Sequence, residues 1–238
     1  MIRAVIFDFN GVLLDDESVH FDLFQEVLDQ EGVHITEHDY HSRYLGLDDR
    51  ACLETALRDG GQTATQGRLD ELIERKGKRY FEVAAQGLRF FPGAAECLAR
   101  LSRNYPLAIN SGALRAEIEF ALNLLDRRDA IAVVVAAEDA TYCKPHPEGY
   151  TLAYRGLLAR GAAAEDLLPS ECLVIEDSLA GIESAKGAGM RAVGVPNTYD
   201  RDALLRAGAD AVVADLLSFT AAWISAKFPA PSRASAVR

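Results

Sequence analysis

The 238-residue sequence predicts an α/β fold, a doubly wound parallel sheet with an inserted α-helical domain. Short apolar runs rich in β-branched residues alternate with segments of helical periodicity through most of the chain. Runs that are apolar throughout are typical of parallel strands covered by helices on both faces. One long N-terminal stretch breaks this alternation, because its apolar residues recur only at helical spacing. A hydrophobic share of 49% is enough for a full globular core.

Six apolar runs are predicted as the strands of the sheet, and five segments between them are long enough for crossover helices. The strands are expected at 4–9, 107–110, 131–135, 173–175, 192–195 and 211–213. The helices are expected at 93–104, 114–125, 147–160, 179–188 and 201–207. This order of elements is that of a doubly wound α/β core.

The stretch 16–87 is predicted to be a helical cap domain inserted after the first strand. Its apolar residues follow helical spacing, and Gly60-Gly61 marks a turn between helices. The core domain is then expected to comprise 1–15 and 88–228. The last residues, 229–238, are rich in Pro, Ser and Ala and are expected to form a loose tail.

Composition narrows the expected partners and location. The net charge of −11 argues against nucleic acid or an anionic membrane as a partner. No apolar run approaches the roughly 18 residues that a membrane span needs, and the four cysteines form no CxxC pair. We therefore expect reduced thiols and a cytoplasmic location. The apolar segment 216–228, which contains Trp223, leaves monomer and homodimer both open.

Polar residues follow the predicted strands at the points where the strands end. In a parallel sheet these carboxyl ends lie at one edge, where ligands bind. The residues are Asp8, Asn10, Gly11, Ser111, Gly112, Lys144, Glu176 and Asp177. Converging carboxylates repel one another unless a cation binds them, and oxygen ligands suit Mg²⁺. The sequence therefore predicts a Mg²⁺ site and an anion site at this edge.

Four of these segments resemble the signature motifs of the haloacid dehalogenase superfamily, in the same order. They are VIFDFNGVL at 5–13, INSG at 109–112, KP at 144–145 and IEDS at 175–178. The sequence is most similar to the branch that holds β-phosphoglucomutases, phosphoglycolate phosphatases and small sugar-phosphate phosphatases. This resemblance implies a Rossmann-like core, an α-helical cap and a Mg²⁺-dependent phosphatase of small phosphorylated metabolites.

The resemblance also implies residue roles. Asp8 would be the nucleophile that forms an aspartyl-phosphate. Ser111 would hydrogen-bond a phosphoryl oxygen, and Lys144 would neutralise developing charge. Mg²⁺ would be held by Asp8, Glu176, Asp177 and the backbone carbonyl of Asn10. Substrate contacts are expected from Gly11, Ser111, Gly112, His20 and Arg50.

Position 10 departs from the family pattern. Phosphatases of this family carry an acid–base aspartate there, whereas Asn10 cannot exchange a proton at neutral pH. Such catalysis is worth about 10² to 10⁴ in rate, so Asn10→Asp is expected to raise turnover of alkyl phosphates at least about tenfold. Four explanations stay open: a substrate with a good leaving group, a substitute acid such as Glu17 or His20, an introduced substitution, or a protein that binds a phosphorylated ligand with little turnover.

Three further alternatives concern specificity. A dehalogenase would need no metal, so Glu176 and Asp177 argue against one. A β-phosphoglucomutase would carry an arginine for the distal phosphate where Asp49 stands, within the expected specificity loop 45–50; Arg50 either turns inward or lies on a helix surface. A cap lysine, used by phosphonate-cleaving members, is not expected. Five side chains are assigned to polar cap loops or solvated helix faces and not to a metal or catalytic site: Lys76, Lys78, His34, His38 and His41.

Overall fold

The computed structural model describes residues 1–45 and 47–230. Within them, six strands form one parallel sheet in the order β3-β2-β1-β4-β5-β6. The strands are β1 (Ala4–Phe7), β2 (Leu107–Asn110), β3 (Val133–Val135), β4 (Cys172–Glu176), β5 (Arg191–Gly194) and β6 (Ala211–Val212). The predicted doubly wound α/β fold is therefore confirmed. The strand order reverses direction between β1 and β4, and such switch points are where open α/β sheets bind ligands.

The register of the central strands aligns their carboxyl ends. Phe7 of β1 pairs with Ile109 of β2 on one side and with Ile175 of β4 on the other. The residues that follow these three strands consequently emerge side by side. β1 is shorter than predicted, because the carbonyl of Phe9 accepts hydrogen bonds from the backbone of the following turn at 12–14.

Helices cover both faces of the sheet, as the apolar strands require. Side chains of β1 alternate between two cores, with Val5 and Phe7 in one and Ala4 and Ile6 in the other. Ten α-helices are assigned in the described residues. They are α1 (Glu17–Asp29), α2 (Glu37–Asp39), α3 (Asp49–Asp59), α4 (Gln66–Ala84), α5 (Ala94–Leu101), α6 (Arg115–Leu124), α7 (Glu148–Ala159), α8 (Leu179–Gly187), α9 (Arg201–Arg206) and α10 (Ala221–Lys227).

The first four helices lie between β1 and β2 in sequence, and three of them, α1, α3 and α4, share a core of their own, which includes Phe24, Leu53 and Leu72. The chain passes into and out of this region along two adjacent segments. The backbone N–H of Asp15 donates to the carbonyl of Arg89 (2.8 Å), and that of Phe91 donates to the carbonyl of Leu13 (3.0 Å). We propose that the boundary between cap and core runs through this crossing, as predicted at 15/16 and 87/88.

Four smaller expectations concern Trp223, the cysteines, membrane spans and the tail. Trp223 packs edge-to-face against Phe219, with ring centroids 5.5 Å apart, at the border of the core. All four cysteines lie in the described part of the chain and are free thiols. None of the described helices combines the length and apolarity that crossing a membrane requires. Most of the predicted tail, residues 231–238, lies outside the described residues.

Candidate active site

The carboxyl ends of β1 and β4 bring three carboxylates together. Asp8 follows β1 directly, and its backbone N–H donates to the carbonyl of Ile175 in β4 (2.9 Å). Glu176 ends β4, and Asp177 follows it. One oxygen from each of these three acids lies within 4.8 Å of the others, and all three residues are buried. The structure thus assembles the acidic part of the predicted site.

Lys144 reaches this acidic cluster from the loop after β3. Its Nζ lies 2.8 Å from Asp8 Oδ1 and also pairs with Glu176 Oε1. The Tyr150 hydroxyl donates to the same Glu176 oxygen (2.8 Å), and the Ser178 hydroxyl donates to Oε2 (2.8 Å). Both oxygens of Glu176 are therefore occupied, and its side chain is fully buried. Asp8 and Asp177, by contrast, line the pocket above the sheet.

The electrostatics of the cluster are those of acids crowded around one cation. Burial and the nearby Glu176 carboxylate raise the pKa of Asp8 to about 7, although Lys144 opposes the shift. Burial, Glu176 and Asp8 also raise the pKa of Asp177 well above its ordinary value. Burial alone would raise the pKa of Glu176 too, but Lys144 and the hydrogen bonds of Tyr150 hold it below its ordinary value. A positive charge added at this cluster would therefore reduce the repulsion between the acids and stabilise the folded protein.

The donor set fits a divalent cation. All the converging atoms are carboxylate oxygens, the ligands that Mg²⁺ takes in proteins. The backbone approaches these acids closely, because a Cβ on Gly11 would lie 2.1 Å from Asp177 Oδ2 and one on Gly181 would lie 1.8 Å from Glu176 Oε1. Gly11 has a φ of +76°, which favours glycine. A larger residue at either position would displace an acid of the cluster.

Two residues after β5 also support the site, and neither was predicted from the sequence. Asn197 Nδ2 donates to the carbonyl of Gly11 (2.7 Å), and the Thr198 hydroxyl donates to Asp177 Oδ2. Thr198 also lines the pocket. The same rule that selected the other residues, polar side chains beyond a parallel strand, would have found this pair.

Asn10 lies between the acidic cluster and the cap. Its Oδ1 accepts from the Ser111 hydroxyl (3.2 Å), and its Nδ2 donates to Asp16 Oδ1 (2.8 Å). Asp16 is 1% exposed and also accepts from the Tyr80 hydroxyl (2.9 Å). His20 Nε2 lies 3.2 Å from Asp16 Oδ2. The amide of Asn10 thus satisfies a buried carboxylate that the sequence analysis did not single out.

Lys76 corrects an expectation, because it was predicted to lie on a solvated helix face. Its side chain is fully buried, with Nζ 2.7 Å from Asp49 Oδ1 and 2.9 Å from His20 Nδ1, and 4.4 Å from the ring centroid of Phe24. The helical apolar stripe of α4 passes through position 76, which was the signal for burial. Lys78 is 72% exposed and pairs with Glu74, as expected for a solvated face.

Arg50 was predicted to contact substrate, but the structure turns it away. Its guanidinium pairs with Asp70 of α4, and it is not among the pocket residues. Asp49 is buried and lines the pocket instead. The cause is helical geometry: α3 begins at Asp49, with the Asp48 side chain accepting from the N–H of Ala51 (2.8 Å), and successive helical residues point about 100° apart. Because Asp49 and not Arg50 faces the pocket, this position of the pocket wall carries a negative charge where a positive one was expected.

The pocket lies between the strand ends and the first helices. Core residues at its floor are Asp8, Asn10, Ser111, Gly112, Lys144 and Asp177, while Glu17, His20, Tyr40, Asp48 and Asp49 come from the predicted cap. A Cβ on Gly112 would lie 3.5 Å from the Cα of Asp48, so the two regions meet closely there. Every predicted site residue lines this pocket except Arg50, Gly11 and Glu176. Gly11 lies against Asp177 and Glu176 pairs with Lys144, and both of these partners line the pocket.

Within the described residues, no histidine joins a group of three or more potential metal ligands. His34 lies 3.0 Å from Asp29, and His41 lies 3.9 Å from Glu37, both on exposed surface. In residues 1–45 and 47–230, the three acids around Lys144 are the only converging group of three or more potential metal ligands. His146 lines the pocket and packs on Tyr142, with ring centroids 4.7 Å apart.

Comparison with known proteins places this geometry in a family. The profile of the haloacid dehalogenase-like hydrolases matches residues 5–195. Phosphorylated carbohydrates phosphatase from Thermotoga maritima is 32% identical over 215 residues, which cover 89% of this chain and 94% of that protein. The structure of β-phosphoglucomutase from Clostridium difficile shares the fold, with a TM-score of 0.82 at 24% identity over 95% of this chain and 97% of that one.

A further solved structure is that of a CbbY variant from Rhodobacter sphaeroides in complex with xylulose-(1,5)bisphosphate. It has a TM-score of 0.78 and 26% identity, and the match covers 91% of this chain and 95% of that one. The profile match spans most of the sequence and contains all four motifs. The chain belongs to the haloacid dehalogenase-like hydrolase family.

Proposed function

We propose that this protein is a Mg²⁺-dependent phosphatase of small phosphorylated metabolites, sugar phosphates in particular. The observation that carries the proposal is a buried Asp8 at the pocket floor, paired with Lys144 (2.8 Å) and adjoining two further carboxylates. The name of the Thermotoga maritima relative, a phosphatase of phosphorylated carbohydrates, supports the substrate class. Asp8, Asp177 and the backbone carbonyl of Asn10 would hold the metal. Glu176, whose oxygens are occupied by Lys144, Tyr150 and Ser178, would add negative charge next to them.

The proposed reaction proceeds through an aspartyl-phosphate. The Asp8 carboxylate attacks phosphorus, the bond from phosphorus to the ester oxygen breaks, and water then hydrolyses the new acyl phosphate. Lys144 offsets the negative charge of Asp8 and of the transferring group, and the Ser111 hydroxyl is placed to donate to a phosphoryl oxygen. Bound Mg²⁺ would polarise the phosphoryl group and reduce its repulsion from Asp8.

Protonation of the leaving oxygen is the step for which Asn10 is unsuited. Glu17 and His20 both line the pocket, so each stays a candidate for that proton. Without such help, substrates whose leaving group needs no proton are expected to react fastest. A protein that binds a phosphorylated ligand with little turnover is the second candidate function, and Asn10 is the observation that favours it.

The two candidates are separated by hydrolysis of p-nitrophenyl phosphate and acetyl phosphate, both of which have good leaving groups. We expect hydrolysis with Mg²⁺ and a rate at least about a hundredfold lower with excess EDTA, because the metal supplies several kcal/mol of charge stabilisation. A rate with Mg²⁺ that equals the protein-free background would favour the binding protein. An unchanged rate in EDTA would contradict the proposed dependence on Mg²⁺.

The sequence alone leads us to expect a gain in turnover from Asn10→Asp, but the contact between Asn10 and Asp16 changes this expectation. An aspartate introduced at position 10 is now expected to raise turnover only together with a change at Asp16. Asn10→Asp alone would put two buried carboxylates where Asn10 Nδ2 now donates to Asp16 Oδ1 (2.8 Å), and such a pair holds a shared proton or moves apart. In Asn10→Asp/Asp16→Asn the amide and the acid exchange places and the hydrogen bond is kept. We expect the double variant to hydrolyse alkyl phosphates at least about tenfold faster than the parent protein.

Both single variants serve as controls, with glycerol 3-phosphate as substrate and thermal unfolding as a second readout. Asp16→Asn should not raise turnover, since it adds no acid at position 10. Asn10→Asp should be less stable and slower than the double variant. Equal activity of Asn10→Asp and the double variant would mean that Asp16 does not restrain residue 10.

A further inference from the structure

The wall of the pocket opposite the strand ends is acidic. Glu17 from α1, Asp48 before α3 and Asp49 at its start all line it. Asp49 is the most enclosed of the three, at 7% exposure, while the other two are half-buried. A ligand whose phosphoryl group lies over Asp8 would extend toward this wall.

The hydrogen bonds of these acids leave one buried acceptor, Asp49 Oδ2, unsatisfied. The carboxylate of Asp48 accepts from the N–H of Ala51 (2.8 Å), and that of Glu17 accepts from the Tyr40 hydroxyl. Asp49 Oδ1 pairs with Lys76 (2.7 Å), but its Oδ2 is buried and has no donor among the described residues. An unsatisfied buried carboxylate oxygen costs free energy, which a donor on a bound ligand would recover.

Among the described residues, the wall also offers no lysine or arginine to a second anionic group. In the part of the chain that the structure describes, Lys144 is the only lysine or arginine in the pocket lining, and it lies at the phosphoryl end between Asp8 and Glu176. Lys76 is fully buried and holds Asp49. Arg50 pairs with Asp70 outside the pocket. A distal phosphate or carboxylate would therefore lie against carboxylates, and the one cation beside them, Lys76, is already paired with Asp49.

We propose that Asp49, with Asp48 and Glu17, forms a distal subsite for the hydrogen-bond-donating, uncharged or cationic end of a monophosphate, and that it rejects a second anion. The chemistry shared by suitable ligands is a hydroxyl or ammonium donor for Asp49 Oδ2. This inference rests on the proposed phosphatase function and narrows its substrates to phosphomonoesters with a single anionic group. It separates this protein from enzymes that act on sugar bisphosphates.

The test uses four related ligands as competitors of p-nitrophenyl phosphate hydrolysis. Glucose 6-phosphate has a hydroxyl distal end and glucosamine 6-phosphate adds an ammonium, whereas 6-phosphogluconate and glucose 1,6-bisphosphate add a second anion. We expect inhibition constants at least about tenfold higher for the two doubly anionic ligands, since like charges placed together cost binding energy. The ratio of the first two ligands tells a hydroxyl preference from an ammonium preference. Equal constants for all four, including no inhibition by any, would overturn the proposal.

Two variants locate the effect. Asp49→Asn removes the charge and frees Lys76 from its partner, so the inhibition constant of glucose 1,6-bisphosphate should fall about tenfold relative to that of glucose 6-phosphate. Asp48→Asn keeps the pair of Asp49 with Lys76 and should give a smaller change in the same direction, which preserves the test if the first variant unfolds. Asp22→Asn, on the exposed face of α1, is the matched control. An unchanged ratio in both pocket variants would refute the subsite.

Failure of the inference and failure of the proposed function give different results. Without hydrolysis of p-nitrophenyl phosphate, the phosphatase proposal itself fails. With hydrolysis but with no discrimination between singly and doubly anionic ligands, the phosphatase stands and only the distal subsite is withdrawn.

Discussion

Replacing Asp8 by asparagine is expected to lower Mg²⁺-dependent hydrolysis of p-nitrophenyl phosphate by at least about a thousandfold, because a neutral amide is a poor nucleophile and the covalent route is lost. Stability should not fall with it. Asp8 is one of three buried acids around Lys144, and its removal relieves repulsion from Glu176 and Asp177. In EDTA the thermal unfolding temperature of the variant should therefore equal or exceed that of the parent protein.

The same substitution at Asp22, on the exposed face of α1, is the control and should leave both quantities unchanged. A second readout follows the intermediate. Protein mixed with acetyl phosphate and quenched in acid should gain the mass of one phosphoryl group, and Asp8→Asn should not. Hydrolysis by Asp8→Asn at a tenth of the parent rate or more, or a phosphorylated variant, would remove Asp8 from the role of nucleophile.

Removal of the Lys144 ammonium is expected to lower both stability and activity. Lys144→Ala leaves Glu176 fully buried without its cation and takes the 2.8 Å partner from Asp8. Loss of one member of a buried ion pair costs about 3 to 5 kcal/mol, and we expect the free energy of unfolding in EDTA to fall by about 3 kcal/mol. Hydrolysis of p-nitrophenyl phosphate should fall at least about a hundredfold, because a preorganised charge at the transferring group is lost.

Urea unfolding with and without Mg²⁺ measures this effect. Mg²⁺ should restore part of the lost stability, since it brings positive charge to the same carboxylates, but little of the activity. Lys78→Ala is the matched control, because Lys78 is also a lysine paired with a carboxylate. Lys78 is 72% exposed, and solvent screens its pair with Glu74, so stability should not change measurably. If Lys144→Ala were as stable as the parent protein in EDTA, the three acids would not depend on the lysine for their charge balance.

Much of the fold follows from local pattern. The predicted strand 107–110 coincides with β2, and the other five strands lie within two residues of prediction at each end. These strands are buried on both faces, so each is a continuous apolar run that is easily read. The shortened end of β1 depends on backbone hydrogen bonds of the turn that begins at Phe9, which periodicity does not report.

The residues at the pocket floor could also be predicted from the sequence, whereas those of the opposite wall could not. Asp8, Ser111 and Asp177 follow parallel strands directly, and the pairing of neighbouring strands alone brings them to one edge. Lys76 and Asp49 meet through the rotation of α4 and α3 within the helical region, and a turn of one residue about a helix axis changes which side chain faces the pocket.

The amino-acid sequence by itself determined the parallel sheet, the family and the acids at the strand ends, because these depend on short apolar runs and on residues adjacent to them. Only the tertiary structure decided that Arg50 turns outward, that Lys76 is buried, and that Asn10 donates to Asp16. The pairs of Arg50 with Asp70 and of Lys76 with Asp49 join different helices, and the bond from Asn10 to Asp16 joins the turn after β1 to the start of α1. Their directions are set by how helices rotate and pack, which no local pattern specifies.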